Sequence, residues 1–451
     1  MMNSFAELRT SISLKVVVIG ALILLLLIPV AMIRGVIEDR EAIGWQAQSD
    51  IMQSWGGEQQ IGGPMLVLPY ELVRATQYGE RITETGQLQI LPALLKVDVE
   101  LDSEMRHRGL HEVPVYTART MIAATFAAPD WSGLGIDSAN IHWDRAVIAM
   151  SISDARATRN APFLEVDGKR VRFEPAGVRI AQLPPQIAAP VSFYQSEENR
   201  DSPLALSIEF DVSGTRTYRV QALGDETVVN MRSNWSDPSF FGAFLPESHD
   251  VTDTGFAAEW RVTSLGRTLP AKWLEADLEQ ATIETAVLGV ELFVPVGLYQ
   301  LTDRATKYAI MFIGLTFVTY FLFEVLAGLR LHPLQYLLVG FGNAIFYLLL
   351  LSLVEHIGFG IAYLLSATGS AGMIAGYSLS ILGGRSRAAL MLGILSLLYG
   401  FLYLTLNAET YAMLAGSIGL WLSLALIMYL TRGIDWYAIG RRGGAQEEMT
   451  L

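Results

Sequence analysis

The sequence contains no cysteine among its 451 residues. That absence excludes disulfide bonds, thiolate metal sites and a cysteine nucleophile. Charged residues are also scarce, at 17% of the chain, and the 32 basic residues are outnumbered by 45 acidic ones. Because nucleic acids and anionic surfaces are bound through clustered Lys and Arg, this balance argues against a nucleic-acid partner and against charge-driven docking of the polar part of the chain on anionic lipid.

The short motifs of common catalytic sites are missing as well. The sequence has no HExxH, no GxxxxGK[ST], no GxSxG and no glycine-rich turn of the dinucleotide-binding type. No residue is therefore nominated as a nucleophile, a general base or a cofactor ligand. We predict that the protein is not an enzyme and that it carries no cofactor.

Long apolar runs are abundant, and they predict six membrane spans. Residues 16–33 carry no charge and are flanked by Lys15 and Arg34, which predicts an uncleaved signal anchor after a short N-terminus, 1–15. Helical spacing of apolar residues over 34–55 predicts that this helix continues as a juxtamembrane stalk. Five further apolar stretches predict a bundle over 308–430 with a tail at 431–451: they are 308–329, 334–354, 357–382, 388–406 and 411–430.

The middle of the chain, 56–307, has a different pattern. Segments such as LLKVDVEL and LALSIEFDVSGTRTYRV alternate polar and apolar residues and are separated by Pro- and Gly-rich turns, which predicts a large β-rich domain. The proline-rich segment 184–203 is a candidate boundary between two β lobes. Residues 34–307 hold 24 basic and 38 acidic residues, so the acidity of the protein lies in this part.

The basic residues of the short loops predict the orientation. With the N-terminus in the cytoplasm, every short basic loop falls on the cytoplasmic side, as the positive-inside rule requires. These loops contain Arg330, Arg385, Arg387, Arg432, Arg441 and Arg442. We therefore predict a membrane protein with both termini in the cytoplasm and residues 34–307 exported across the membrane.

Three ionisable residues lie in or beside the apolar runs: Glu324, Glu355 and His356. Burying such groups in lipid costs about 2.5–3.5 kcal/mol each, so they are candidate functional residues. One hypothesis is a proton or ion relay through all three. The alternative, which we favour because all three lie near span ends, is that they are interfacial charges that cap helices.

Two other patterns have a structural and a functional interpretation. Small residues at every fourth position of the fourth span, from Thr368 to Gly384, predict a tightly packed helix face or, alternatively, the lining of a substrate path. His107 and His111 are spaced like metal ligands, but the strand pattern before them predicts a solvated strand end, and we predict no metal site.

The segment SNWSDPSFFGAFLP, 233–246, is unusually rich in aromatic residues and proline. Exposed aromatic patches mark contacts with partners, so Trp235, Phe240, Phe241 and Phe244 are a candidate partner surface. The alternative is a hairpin corner whose aromatic side chains fill the β core.

Several of these segments together resemble the CreD family of inner-membrane proteins of Gram-negative bacteria. The resemblance is carried along nearly the whole chain by the following runs: LLLLIPVAMIRGVIEDR (24–40), SWGGEQQIGGPMLVLPY (54–70), SNWSDPSFFGAFLP (233–246), GFAAEWRV (255–262), VPVGLYQLTDRATKYAIMFIGLTF (294–317), FLFE (321–324), HPLQYLLVG (332–340), FYLLLLSLVEHIGF (346–359), LLYGFLYLTL (397–406) and MYLTR (428–432).

The resemblance implies a single anchor, a large periplasmic region, a C-terminal membrane bundle, a link to cell-envelope integrity, and expression controlled by a sensor kinase and response regulator. It assigns no catalytic role to any residue. Our leading hypothesis is a non-enzymatic protein of the bilayer whose periplasmic domain binds an envelope component or a protein partner. The alternative is a transporter or transport accessory with Glu324, Glu355 and His356 as coupling groups.

Overall fold

The computed structural model describes residues 12–75, 81–108, 111–131, 134–176, 186–266, 270–274, 286–294, 298–408 and 411–434. The chain divides into two compact units. One, the helical unit, comprises Met1–Ile43 and Val296–Leu451, and the other, the β unit, comprises Gly44–Pro295.

Seven α-helices lie in the described part of the chain. They are α1 (Ile12–Trp55), α2 (Leu298–Lys307), α3 (Ala309–Ala327), α4 (Pro333–Ile357), α5 (Phe359–Ile381), α6 (Arg385–Asn407) and α7 (Ala412–Thr431). All except α2 are long and apolar enough to cross a membrane, which confirms the predicted arrangement of one N-terminal and five C-terminal spans. Because α1 has 44 residues, it is about 66 Å long, roughly twice the thickness of the hydrocarbon core.

The interior of the helical unit is built from aromatic and small side chains. Tyr399 of α6 packs on Phe312 of α3 and on Phe346 of α4, with ring centroids 5.5 and 4.7 Å apart. The antiparallel helices α4 and α5 are neighbours, and α5 also packs on α6. Helix α7 buries only Gly416, so nearly all of its surface is left to face lipid.

The small-residue stripe of α5 lies on the opposite face from the one we expected. Thr368, Gly372, Gly376 and Ser380 are exposed, and no heavy atom lies within 4 Å of a Cβ built on either glycine. Gly384 lies beyond the helix, where it precedes α6. The prediction of tight packing there is wrong for the described chain, because a four-residue spacing identifies a shared helix face but not its direction. The face that packs carries a second set of small residues: Ala362, Ser366, Ala367, Ser370, Ala371, Ala375 and Ser378.

The β unit contains seventeen strands within the described residues. They are β1 (Gln59–Ala75), β2 (Arg81–Ile90), β3 (Leu94–Arg108), β4 (His111–Phe126), β5 (Val147–Ile152), β6 (Phe163–Val166), β7 (Lys169–Arg172), β8 (Glu174–Pro175), β9 (Gln186–Pro190), β10 (Leu204–Thr215), β11 (Thr217–Gln221), β12 (Glu226–Ser233), β13 (Pro238–Gly242), β14 (Ser248–Thr252), β15 (Gly255–Thr263), β16 (Lys272–Leu274) and β17 (Val287–Leu292).

These strands form two sheets that share one hydrophobic core. The nine-stranded sheet has the order β13-β17-β11-β1-β5-β9-β8, with β2 paired to β1 and β16 to β2; the eight-stranded sheet has the order β14-β15-β12-β3-β4-β10-β6-β7. Burial alternates along β10, as expected for a strand with one face in the core. The large β-rich region predicted from sequence is confirmed.

The segment 184–203 does not separate two lobes. Both sheets take strands from either side of it: β1 pairs in parallel with β11, and β3 pairs in parallel with β12. Part of the segment is itself a strand, β9, which pairs with β5. Proline-rich composition is a local property, whereas the partners of a strand are set by long-range pairing that local composition does not encode.

Candidate functional site

Glu324 lies in the last turn of α3 and is 6% exposed. The helix ends at Gly328, whose left-handed backbone (φ 65°) lets its N–H bond the Glu324 carbonyl. The chain then enters α4 through a capping box formed by His332 and Gln335. This tight turn brings Tyr336, in the first turns of α4, opposite the Glu324 side chain.

The Glu324 carboxylate has a complete set of partners. The Lys15 ammonium of α1 forms an ion pair with it, the Tyr336 hydroxyl donates to it over 3.0 Å, and the Leu331 N–H donates over 3.2 Å. A buried charge is tolerated when it is paired and its lone pairs are hydrogen-bonded. The geometry therefore fits a structural link between α1, α3 and α4.

Glu355 lies in the last turn of α4, at the opposite end of that helix from Tyr336. The Tyr299 hydroxyl of α2 donates to its carboxylate over 2.9 Å, and Arg40 Nε of α1 lies 3.8 Å away. His356 beside it is exposed, and among the described residues it has no hydrogen bond or ion pair. The structure brings Glu355 together with Tyr299 and Arg40, but not with Glu324.

Helix α1 is thus tied to the other helices by three ion pairs, formed by Lys15, Arg34 and Arg40. Lys15 and Arg40 are 25 residues apart, or about 37 Å along a helix, compared with about 30 Å for a hydrocarbon core. Between them, Arg34 pairs with Asp303 of α2 over 3.2 Å. The sequence analysis identified the two acidic residues but missed their partners. The one available signal was the position of Lys15, the partner of Glu324, at one end of the apolar run.

The aromatic segment of the β unit packs largely inward. Phe240 on β13 contacts the rings of Phe256 and Trp260, each with centroids 5.6 Å apart. The Trp260 indole donates to the Phe244 carbonyl over 3.2 Å, and the Trp235 indole donates to a main-chain carbonyl over 3.1 Å. Trp235, Phe240 and Phe244 are all partly buried against the core.

Phe241 is the member of this group that does not join the core. Its ring lies under the Arg219 guanidinium, 5.4 Å from the ring centroid, since neighbouring residues of a strand point to opposite faces. The four candidate residues therefore divide, with three supporting the core and one facing away from it.

The aromatic segment and the residues after it contribute an edge strand to each sheet: β13 to the nine-stranded sheet and β14 to the eight-stranded sheet. Among the described strands, β13 pairs only with β17 and β14 pairs only with β15. All five residues of β14, SHDVT, are exposed. The opposite edge of the eight-stranded sheet is β7, with the sequence KRVR. Its positive charges are typical of edges protected against pairing with other chains.

His107 and Glu112 face each other across the β3–β4 hairpin, with His107 Nδ1 3.3 Å from a Glu112 carboxylate oxygen. The His111 side chain lies outside the described residues. Within the described part of the chain, no group of three or more His, Asp or Glu side chains has the arrangement of a metal site. This exposed hairpin end fits the predicted solvated strand end.

Two buried tyrosines connect the sheets at a position that the sequence analysis missed. The Tyr116 hydroxyl donates to the Thr217 carbonyl over 2.6 Å, and the Tyr218 hydroxyl lies 2.7 Å from Thr120 Oγ1. Burial raises the pKa of both phenols well above the ordinary value, so both remain protonated. Gly214 makes room for Tyr116, since a Cβ there would lie 2.3 Å from its hydroxyl. These contacts are structural.

Comparison with known proteins agrees with the six helices that are long and apolar enough to span a membrane. The family described as "Inner membrane protein CreD" matches residues 11–437. Among curated proteins, the chain is similar to "Inner membrane protein CreD" of Escherichia coli (strain K12), with 34% identity over 419 residues that cover 92% of each chain. The match spans both units and all six apolar helices.

Proposed function

The chain belongs to the CreD family of inner membrane proteins, and from that premise we propose that it is a non-enzymatic protein that supports cell-envelope integrity. In this proposal the β unit is exported to the periplasm and binds a protein partner. The membrane helices anchor the β unit to the inner membrane.

The proposed orientation has both termini in the cytoplasm and follows from the basic loops described above. Arg330, between α3 and α4, and Arg385 and Arg387, at the start of α6, fall on the same side as the N-terminus. A reporter that is active only in the periplasm, fused within the β unit near residue 200, should be active, whereas the same reporter at the C-terminus should be silent. Activity at the C-terminus would refute this orientation.

The open edge at β14 is the observation that carries the binding proposal. An unpaired strand offers a row of N–H and C=O groups on which an extended segment of another protein can add as a further strand. The exposed SHDVT strand contains a single carboxylate, whereas the opposite edge, KRVR, is strongly basic. One edge of the sheet is thus protected by charge and the other is left accessible.

A site-specific photo-crosslinker tests this proposal in cells that express the full chain. Placed at Val251 of β14, it should yield a discrete protein adduct, and the same crosslinker at Arg172 of β7 is the matched control. When the crosslinker is at Val251, the neighbouring substitution Asp250→Lys should abolish the adduct. Absence of an adduct at Val251, or identical adducts at both edges, would count against strand addition.

The transport alternative is supported by the ionisable residues at both ends of the helical unit. It predicts that Glu324→Gln, or Glu355→Gln with His356→Asn, abolishes the envelope phenotype even when the protein accumulates normally in the membrane. The binding proposal predicts the reverse, with loss of the phenotype in Asp250→Lys and little change in the glutamine and asparagine variants.

A further inference from the structure

The centre of the helical unit contains polar side chains whose hydrogen-bonding capacity is not fully used. Each lies near the middle of its helix, at the depth where the bundle is surrounded by lipid, and is at most 2% exposed. Five atoms have no hydrogen-bond partner among the described residues: Thr316 Oγ1, Asn343 Nδ2, Tyr347 Oη, Ser366 Oγ and Ser370 Oγ. We call these five residues the polar cluster.

Helix packing brings four members of the cluster to adjacent levels. Phe317 of α3 lies against Gly340 of α4, and Ile374 of α5 lies against Gly342. Thr316 and Asn343, each next to one of these contacts, are therefore at the same level of the bundle. Ser370 is one turn from Ile374 on α5, and Tyr347 is one turn from Asn343 on α4.

Tyr399 of α6 closes the cluster on a fourth helix. Its hydroxyl donates to Asn343 Oδ1 over 3.3 Å. Ser370 Oγ faces the same phenol without making a hydrogen bond of normal geometry. The Asn343 carbonyl oxygen is therefore occupied, whereas the Asn343 amide hydrogens and the serine hydroxyls are left over.

The orientation of the hydroxyls distinguishes the cluster from other serines and threonines of the same helices. In a membrane helix such a side chain usually satisfies itself by bonding to the carbonyl four residues earlier. Thr319, Thr368, Ser378 and Thr405 do so, over 2.7–2.8 Å. Thr316, Ser366 and Ser370 do not, and their hydroxyls are left without a protein partner in the interior.

A buried polar atom without a partner is costly in any protein and more so in a bilayer, which offers no solvent to bond it. The cluster contains amide, hydroxyl and phenol groups but no charged side chain, which fits a small neutral ligand with both donors and acceptors. Water meets this requirement, since buried waters typically bridge two to four polar groups. We infer that the polar cluster holds ordered water molecules and forms an internal hydration site at the centre of the membrane bundle.

Radiolytic footprinting of the full chain in detergent tests this inference, because hydroxyl radicals formed from bound water oxidise adjacent side chains. Tyr347 and Tyr399 should be oxidised several times faster than Tyr320. Tyr320 is the matched control because it is equally buried in the same unit and its hydroxyl is already bonded to Ser378. Equal oxidation of the three tyrosines would overturn the inference.

Variants make the test specific to the cluster. Replacing Ser366 and Ser370 by valine should displace the water and reduce oxidation of Tyr399 to the rate of Tyr320. Thr368→Val, on the exposed side of the same helix, should leave the rate unchanged. Fast oxidation of Tyr399 that persists in the double variant would overturn the inference, and the wild-type comparison remains decisive if that variant fails to fold.

Discussion

The two units of the chain differ in how many large apolar side chains they leave exposed. In the β unit the large apolar side chains are inside, with Trp260 fully buried between the sheets. In the helical unit many are outside, and Trp421 and Leu397 are 68% and 73% exposed. The interior of the helical unit combines buried apolar side chains such as Phe312 and Phe346 with serine, threonine, tyrosine, Asn343 and Glu324.

This difference shows which solvent each unit is built for. Water drives apolar side chains into the core of the β unit. Lipid offers no such driving force between helices, so membrane helices associate through close packing, small residues and interhelical hydrogen bonds. The ion pair between Lys15 and Glu324 and the hydrogen bond from Tyr399 to Asn343 are contacts of this kind.

The largest expected difference in stability comes from replacing one tryptophan by alanine in each unit. Trp260→Ala should destabilise the β unit by about 4 kcal/mol, because it opens a cavity among Phe240 and its neighbours. Trp421→Ala, on the exposed face of α7, should change stability by less than about 1 kcal/mol, since its side chain faces lipid in either case. Pulse proteolysis of the full chain in detergent, over a denaturant series, measures both. Equal losses would contradict the assigned environments.

A smaller effect is expected from ion pairs. Lys15→Met leaves the buried Glu324 carboxylate unpaired and should cost about 3 kcal/mol, most of which Glu324→Gln in the same chain should restore. The control pair is Arg119 and Glu100 of the β unit, 3.2 Å apart and mostly exposed, where Arg119→Met should cost less than about 1 kcal/mol. Thermal melting in detergent provides the comparison. A lack of coupling between Lys15 and Glu324 would show that the pair does not hold α1.

The smallest effect is a pH dependence confined to the β unit. The hydrogen bonds and charge of Arg156 hold the pKa of the Asp154 carboxyl below its ordinary value. A lowered carboxyl pKa adds stability above the unfolded-state pKa, and this stability is lost as the pH falls through the folded-state pKa. Asp154→Asn should therefore cost less than about 1 kcal/mol at pH 7, and the difference from wild type should shrink progressively as the pH falls below about 4. A difference that grew in acid would have the wrong sign.

Sequence patterns predicted the class of each unit because hydrophobic period and run length are local properties. Apolar runs predicted the six long helices, and alternation predicted the strands. The patterns did not predict the direction of the α5 stripe or the pairing partners of β1 and β3. Nor did they predict the basic side chains that pair with Glu324 and Glu355. Each of these depends on residues far apart in the chain, such as Lys15 and Glu324, which no spacing rule connects.

By itself, the sequence determined which parts of the chain are built for lipid and which for water, because that choice depends on composition over a span or a strand. Only the tertiary structure decided which polar groups meet. It paired Glu324 with Lys15, turned Ser366 and Ser370 inward while leaving Gly372 and Gly376 exposed, and left β14 as an open edge beside a core that Phe240 helps to fill. The physical reason is that burial and pairing arise from contacts between distant segments, and these form only when the whole chain is folded.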